Sequence, residues 1–112
     1  MNPSQYEAAL EEIETVIRTH SGGHKDREAT LRIELLTGRV STLDPDPYIV
    51  DKAKELKRLS EILYSPRKHL KYANADESGV LVLRGIIISN INAMRGWPQT
   101  RANMQRVQDE AG

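Results

Sequence analysis

The sequence predicts an all-α fold, a compact bundle of five or six helices. Apolar residues recur at intervals of three and four along most of the chain, which is the period of an amphipathic helix. Ser or Asp, often followed by Pro, stands before most of these runs, as at helix N-termini. A chain of 112 residues is the size of one domain, so we expect residues 1–112 to share one core.

The first helix is predicted to begin after Ser4. Ser4 and Glu7 have the spacing of a capping box, in which each side chain pairs with the backbone amide of the other residue. The Gly22-Gly23 pair is expected to end this helix. One helical face collects its apolar residues, which are Tyr6, Ala9, Leu10, Ile13, Val16 and Ile17.

The segment from Asp26 to Val40 is predicted to form the second helix, with Asp26 as its N-cap and Gly38 as its left-handed stop. The alternative is an α+β fold with a hairpin near residues 30–43, because apolar and charged residues alternate between positions 31 and 35. We favour the helix, since its cap, its acidic first turn and its terminal Gly agree with one another.

The third helix is predicted to begin at Asp46-Pro47, with Asp46 as N-cap and Pro47 in the first turn. Apolar residues then recur at threes and fours as far as Tyr64. Ser65-Pro66 repeats the arrangement of a cap followed by a proline. A short helix over 66–73 is therefore expected next.

The stretch from Gly79 to Ile91 is apolar on nearly every side and is interrupted by few polar residues. We assign it to a central helix, about 77–94, which the other helices should surround. Paired strands turning at Arg84-Gly85 are the alternative, but Arg-Gly is a poor hairpin turn. Trp97-Pro98 is expected to break the helix, and a last helix should follow over 98–109.

Small side chains recur every four residues on this central helix, at Gly85, Ser89 and Ala93. Such a strip lets a second helix approach closely. It predicts either packing within the chain or an oligomer interface. We expect self-association, with a homodimer as its simplest form, because a helix that is apolar all round needs cover on every side.

Two groups of residues are candidates for binding a partner. The first lies in the basic 52–72 surface and comprises Tyr64, Arg67, Lys68, Lys71 and Tyr72. The second comprises Arg95, Trp97 and Arg101, residue types that are enriched at binding hot spots. We expect a protein partner. Nucleic acid is the alternative, because cations can neutralise phosphates while tyrosine rings stack on bases.

Composition argues against several other function classes. The 16 basic and 16 acidic residues balance, and the absence of Cys excludes thiolate metal sites and disulfides. Gly22-Gly23 separates His20 from His24, so we expect no metal site. The sequence has no nucleophile elbow and no phosphate-binding loop, so neither an enzyme nor a cofactor is expected.

The longest apolar run contains Arg84 and is too short to span a membrane, and no secretion signal is recognised. We therefore expect a cytoplasmic protein. The sequence as a whole predicts a non-enzymatic protein-interaction module, an adaptor or inhibitor of a larger assembly that self-associates. A nucleic-acid-binding protein that uses the basic 52–72 surface is the alternative.

Overall fold

The computed structural model describes residues 4–65 and 77–111, which form four helices and no strand. The helices are α1 (Gln5–Thr19), α2 (Arg27–Leu43), α3 (Pro47–Leu63) and α4 (Glu77–Ala111). The all-α prediction is confirmed. The predicted count of five or six helices is wrong for the described residues, and the short helix expected over 66–73 lies outside them.

Three of the predicted N-caps, Ser4, Asp26 and Asp46, are present. Ser4 Oγ accepts a hydrogen bond from the amide of Glu7 at 3.1 Å. Asp26 Oδ1 accepts from the amide of Ala29 at 3.0 Å. Asp46 Oδ1 accepts from the amide of Tyr48 at 2.9 Å, with Pro47 in the first helical position. Each bond satisfies a donor that the first turn of a helix leaves unpaired, which is why these positions start helices.

Residues 30–43 belong to α2, so the hairpin alternative is wrong. The expected stop at Gly38 is also wrong, because the helix continues to Leu43. Asp44 follows in an extended conformation, with φ of −135° and ψ of 94°. Pro45 explains this end, since a proline disfavours the helical conformation of the residue before it.

Helix α4 does not break at Trp97-Pro98, so the separate last helix over 98–109 is wrong. Pro98 lies inside the helix and has no amide hydrogen to donate to the carbonyl of Met94, four residues earlier. The hydroxyl of Tyr6 donates to that carbonyl instead, at 2.6 Å. The carbonyl that proline would leave unpaired is thus satisfied from α1, and the helix continues to Ala111.

The four helices run alternately up and down. The carbonyl of Ile17 at the end of α1 accepts from Arg84, while Tyr6 at its start meets Met94, so α1 and α4 are antiparallel. Short connections make α1–α2 and α2–α3 antiparallel as well. The largest fully buried side chains are Leu10, Ile13, Ile17, Ile33, Ile49, Leu56, Leu59, Leu63, Leu83, Ile87, Ile91 and Met94.

Helix α4 occupies one corner of this bundle, and the expectation that it is a central helix covered on all sides is wrong. It packs mainly against α1 and α3. Leu83 and Ile87 lie in the core, but Leu81 and Val82 are 59% and 63% exposed. Each helix in a ring of four has two neighbours and one inward face, so the other three described helices leave its outer side uncovered.

Helix α4 is also about twice as long as the others. Its 35 residues span about 52 Å, against about 23 Å for the 15 residues of α1. The side chains of residues 101–110 are all exposed. We call residues 98–111 the C-terminal arm, because this part of α4 projects beyond the four-helix bundle.

Candidate interaction surface on helix α4

One face of α4 is exposed and uncharged along most of the helix. The residues of this face fall within an arc of about 80° around the helix axis, at 100° per residue. They extend about 37 Å along that axis. Ala93 is half-buried and the other members are exposed. We call this face the α4 stripe, and its residues are Val82, Ile86, Ser89, Ala93, Gly96, Thr100, Met104 and Val107.

The charged residues of α4 lie at helical positions away from the stripe, and three of its arginines contact other parts of the bundle. Arg84 donates to the carbonyl of Ile17 at 2.9 Å, which satisfies an unpaired acceptor at the end of α1. Arg95 forms an ion pair with Glu14 at 2.9 Å. Arg101 contacts the segment between α2 and α3. No residue of the stripe is ionisable, so its desolvation would bury no charge.

The predicted small-residue strip lies on or beside this face. Ser89 and Ala93 belong to the stripe, and Gly85 is exposed at its edge. A Cβ atom added at Gly85 would meet no atom within 4 Å. No described helix of the same chain therefore packs closely on Gly85. The oligomer interface at Gly85, Ser89 and Ala93 stays a prediction.

Trp97 and Arg101 from the second predicted patch hold the base of the arm. The Trp97 ring stacks on Tyr48, with centroids 4.1 Å apart, and its Nε1 donates to Asp46 Oδ2 at 3.2 Å. Arg101 lies 3.0 Å from Asp44 Oδ1 and 2.9 Å from Asp46 Oδ2. The Arg101 guanidinium, with the Tyr48 amide and the indole, lowers the pKa of the Asp46 carboxyl.

The third member of that patch, Arg95, is bound to α1. Its guanidinium contacts Glu14, whose other carboxylate oxygen accepts from Arg18 at 2.8 Å. Both hydrogen bonds lower the pKa of the Glu14 carboxyl, and the bond from Arg18 has the larger effect. Arg95, Trp97 and Arg101 thus make intramolecular contacts that fix α4 against α1 and α3.

Tyr64, the described member of the first predicted patch, is buried. Its hydroxyl donates to the carbonyl of His20 at 3.1 Å, and burial raises the pKa of this hydroxyl to about 12. His20 Nδ1 in turn lies 2.7 Å from Asp26 Oδ2. The Tyr64 ring therefore joins the α1–α2 connection to the end of α3 and is not free to stack on a base. Arg67, Lys68, Lys71 and Tyr72 lie outside the described residues.

The basic face of α3 is partly neutralised by its neighbours. Lys57 Nζ lies 3.7 Å from Glu34 Oε1 on α2, and Lys52 Nζ lies 3.9 Å from Glu55 Oε2. Lys54 and Arg58 are exposed. In the described part of this surface, carboxylates therefore alternate with the cations, as on a solvated helix face.

Two surface depressions stand out among the described residues. One, of about 140 Å³, lies between α2 and α3 around Gly38. The other is an open groove of about 440 Å³ on the arm, lined by Thr100, Asn103, Met104, Val107 and Gln108. Three of the residues that line the larger one, Thr100, Met104 and Val107, belong to the α4 stripe.

In residues 4–65 and 77–111, no group of three or more His, Asp or Glu residues is arranged to hold a metal ion. None of the helices in these ranges combines the length and hydropathy that a bilayer crossing requires.

Comparison with known protein families, curated proteins and solved structures finds no match for this chain. The sequence-based prediction missed the outer members of the stripe, Val82, Ile86, Met104 and Val107. The pattern that identifies them is an uncharged spacing of threes and fours that continues through Pro98. Treating Pro98 as a break divided this pattern between two helices and hid its continuity.

Proposed function

We propose that the chain is a small, non-enzymatic protein-interaction module, an adaptor or inhibitor within a larger assembly, and that it binds through the α4 stripe. The observation that carries this proposal is the exposure of an uncharged face along about 37 Å of helix. Val82, Met104 and Val107 are each more than half exposed, at 63%, 54% and 59%. An exposed face of this kind, with apolar side chains and no charge, is typical of an interaction site.

The chemistry of the stripe favours a protein partner. Burying apolar surface contributes about 25 cal/mol per Å², and the stripe contains no ionisable group to oppose its transfer from water. Apolar side chains at helical spacing are also how a helix binds in an apolar groove or against another helix. A phosphate backbone would instead need cations, which this face lacks.

The projection of the arm supports the same function. An isolated helix of about 14 residues is only marginally stable in water, so the arm depends on its continuity with the packed part of α4. Trp97 and Arg101 fix its base to the segment that begins α3. The bundle thereby acts as a rigid support that presents the arm to a partner.

The proposal is tested by immobilising the chain and two glutamate variants and comparing the partners that each one captures. Met104→Glu should abolish capture, because it introduces a charge into the stripe. Leu35→Glu is the matched control, since Leu35 is 74% exposed on α2, outside the stripe. If both variants lose a captured partner to the same extent, or both retain it, the α4 stripe is not the binding surface.

A further inference from the structure

We propose that the partner of the α4 stripe is the α4 stripe of a second copy of this chain. The two helices pair antiparallel about a two-fold axis that passes between Ala93 and Thr100. This inference rests on the proposed interaction role of the stripe, and it names the occupant of that surface.

Six of the eight stripe residues have the same spacing in both chain directions around this axis. The residues that show it are Ile86, Ser89, Ala93, Thr100, Met104 and Val107, with successive intervals of three, four, seven, four and three. When a second copy is reversed, Ile86 therefore lies opposite Val107, and Ala93 lies opposite Thr100. Ser89 lies opposite Met104. Such self-complementarity is what a two-fold interface between identical subunits requires.

Side-chain volumes favour the antiparallel pair over a parallel one. In the antiparallel pair the long Met104 side chain meets the small Ser89, so a large residue is matched to a small one at two levels of the contact. A parallel pair would oppose Met104 to itself and Ser89 to itself, which leaves a gap at one level and crowding at another. Close packing therefore selects the antiparallel arrangement. Antiparallel helix dipoles favour it as well.

The antiparallel pair also covers the least supported part of each molecule. The arm of one copy lies along residues 82–93 of the other, a segment held from behind by α1 and α3. Leu83 and Ile87 point into their own bundle, away from the stripe. The two bundles consequently lie on the outer sides of the helix pair. One contact covers both the projecting arms and the apolar residues Val82 and Ile86.

The area of this contact sets the expected affinity. A face about 37 Å long and about 10 Å wide on each copy, with its flanking side chains, buries roughly 1,000 Å² in total. That value is at the lower limit for specific protein interfaces. We therefore expect a dissociation constant in the micromolar range, and a dimer that separates on dilution.

Sedimentation equilibrium of the full chain between about 1 μM and 1 mM tests the dimer. The mass should rise from 12.7 kDa towards twice that value across this range. Met104→Glu should weaken association at least tenfold, and Leu35→Glu should leave it unchanged. Circular dichroism of both variants shows whether the fold is retained, and Ser89→Arg provides a second disruptive substitution. A wild-type monomer at 1 mM would overturn the proposal.

Disulfide trapping tests the orientation, and the absence of Cys from the chain makes single-cysteine variants clean reporters. A mixture of S89C and M104C should form the mixed disulfide readily. S89C alone should form little disulfide, because the two copies of position 89 lie about 22 Å apart in the antiparallel pair. Faster trapping of S89C alone than of the mixture would indicate parallel helices and overturn the proposal.

The failure of this inference is distinguishable from that of the proposed function. If the chain stays monomeric while Met104→Glu still abolishes capture of another protein, the stripe is a binding surface and its occupant is not a second copy. If Met104→Glu changes neither capture nor association, both proposals are wrong.

Discussion

The two parts of α4 share one helical backbone and one exposed stripe, but they differ in how much of the helix is buried. Residues 77–97 pack against α1 and α3 and bury Leu83, Ile87, Ile91 and Met94. The arm continues the same helix, yet its side chains from residue 101 to residue 110 are exposed. The difference shows that one helix can contribute to the core at one end and project from it at the other. Helical hydrogen bonding needs only local continuity, whereas burial needs neighbours.

Pro98 lies where the two parts meet. Tyr6 supplies the hydrogen bond to Met94 that the proline cannot make, and Trp97 and Arg101 fix the helix on the side of α3. The junction is therefore held by contacts with α1 and with the segment between α2 and α3.

Two adjacent isoleucines of the packed part should respond very differently to truncation. Ile87 is fully buried, so Ile87→Ala should lower the free energy of unfolding by about 3 kcal/mol through lost burial and a cavity. Ile86 is 40% exposed on the stripe, and Ile86→Ala should lower it by less than about 1 kcal/mol. Urea denaturation at low micromolar concentration measures both. Equal losses would mean that the outer face is covered within the chain.

The hydroxyl of Tyr6 should matter mainly because of Pro98. Tyr6→Phe leaves the Met94 carbonyl without a donor, which should lower the free energy of unfolding by about 1–2 kcal/mol. In a Pro98→Ala background the new amide can donate to that carbonyl, so the same substitution should be milder by about 1 kcal/mol. A double-mutant cycle in urea measures this coupling. If the effects of Tyr6→Phe and Pro98→Ala are additive, the Tyr6 hydroxyl does not compensate for the missing amide of Pro98.

Arg101 should stabilise the helical state of the arm. Arg101→Gln removes the contacts with Asp44 and Asp46, so the Cα chemical shifts of residues 102–110 should move towards random-coil values. Arg106→Gln is the control, because Arg106 is exposed farther along the same arm. Equal changes in both variants would exclude a specific anchor at Arg101.

Acid should have the same effect as Arg101→Gln. Because the pKa of Asp46 is lowered in the folded chain, its contribution to stability is present above the ordinary carboxyl range. That contribution decreases as the pH falls below about 4, the ordinary pKa of the carboxyl, and it is lost once the pH passes the lowered pKa of the folded chain. NMR spectra of the wild type between pH 6 and pH 2 should therefore show the arm losing helicity at the acid end of this range. Arg101→Gln should change less over the same range.

The smallest effect is expected at Gly96, just before the junction. Gly96 lies within the helix, and an added Cβ would meet no atom within 4 Å. Gly96→Ala should therefore raise the free energy of unfolding by about 0.5–1 kcal/mol, because alanine has less conformational freedom to lose on folding. Thermal denaturation measures the change. A destabilised variant would indicate that the helix is distorted at the junction.

Local rules were sufficient for much of the fold. The caps at Ser4, Asp26 and Asp46 follow from side chains that satisfy unpaired amides, and α1 buries all six residues that its spacing selects. Those rules failed at Gly38 and Pro98. Gly38 does not stop α2, because the chain keeps its helical conformation there. Pro98 does not stop α4, and the carbonyl that it frees at Met94 accepts from Tyr6.

The sequence predicted less of the candidate site than of the fold. Gly85, Ser89 and Ala93 were found from their spacing, but the apolar members of the stripe were expected to be covered. Trp97 and Arg101 have the side-chain types of a binding site, and only the packing shows that they anchor α4 to the start of α3. Residue type alone cannot distinguish a partner-binding residue from an intramolecular anchor, because Trp and Arg make the same stacking and ionic contacts in both.

The sequence by itself determined where most helices begin and which face of each is apolar, because capping and periodicity act within a few residues of the chain. Only the tertiary structure decided that α4 lies at a corner of the bundle, passes through Pro98 and leaves one apolar face uncovered. Those outcomes depend on which groups from distant parts of the chain come together. The hydroxyl of Tyr6 reaching the carbonyl of Met94 is the clearest case.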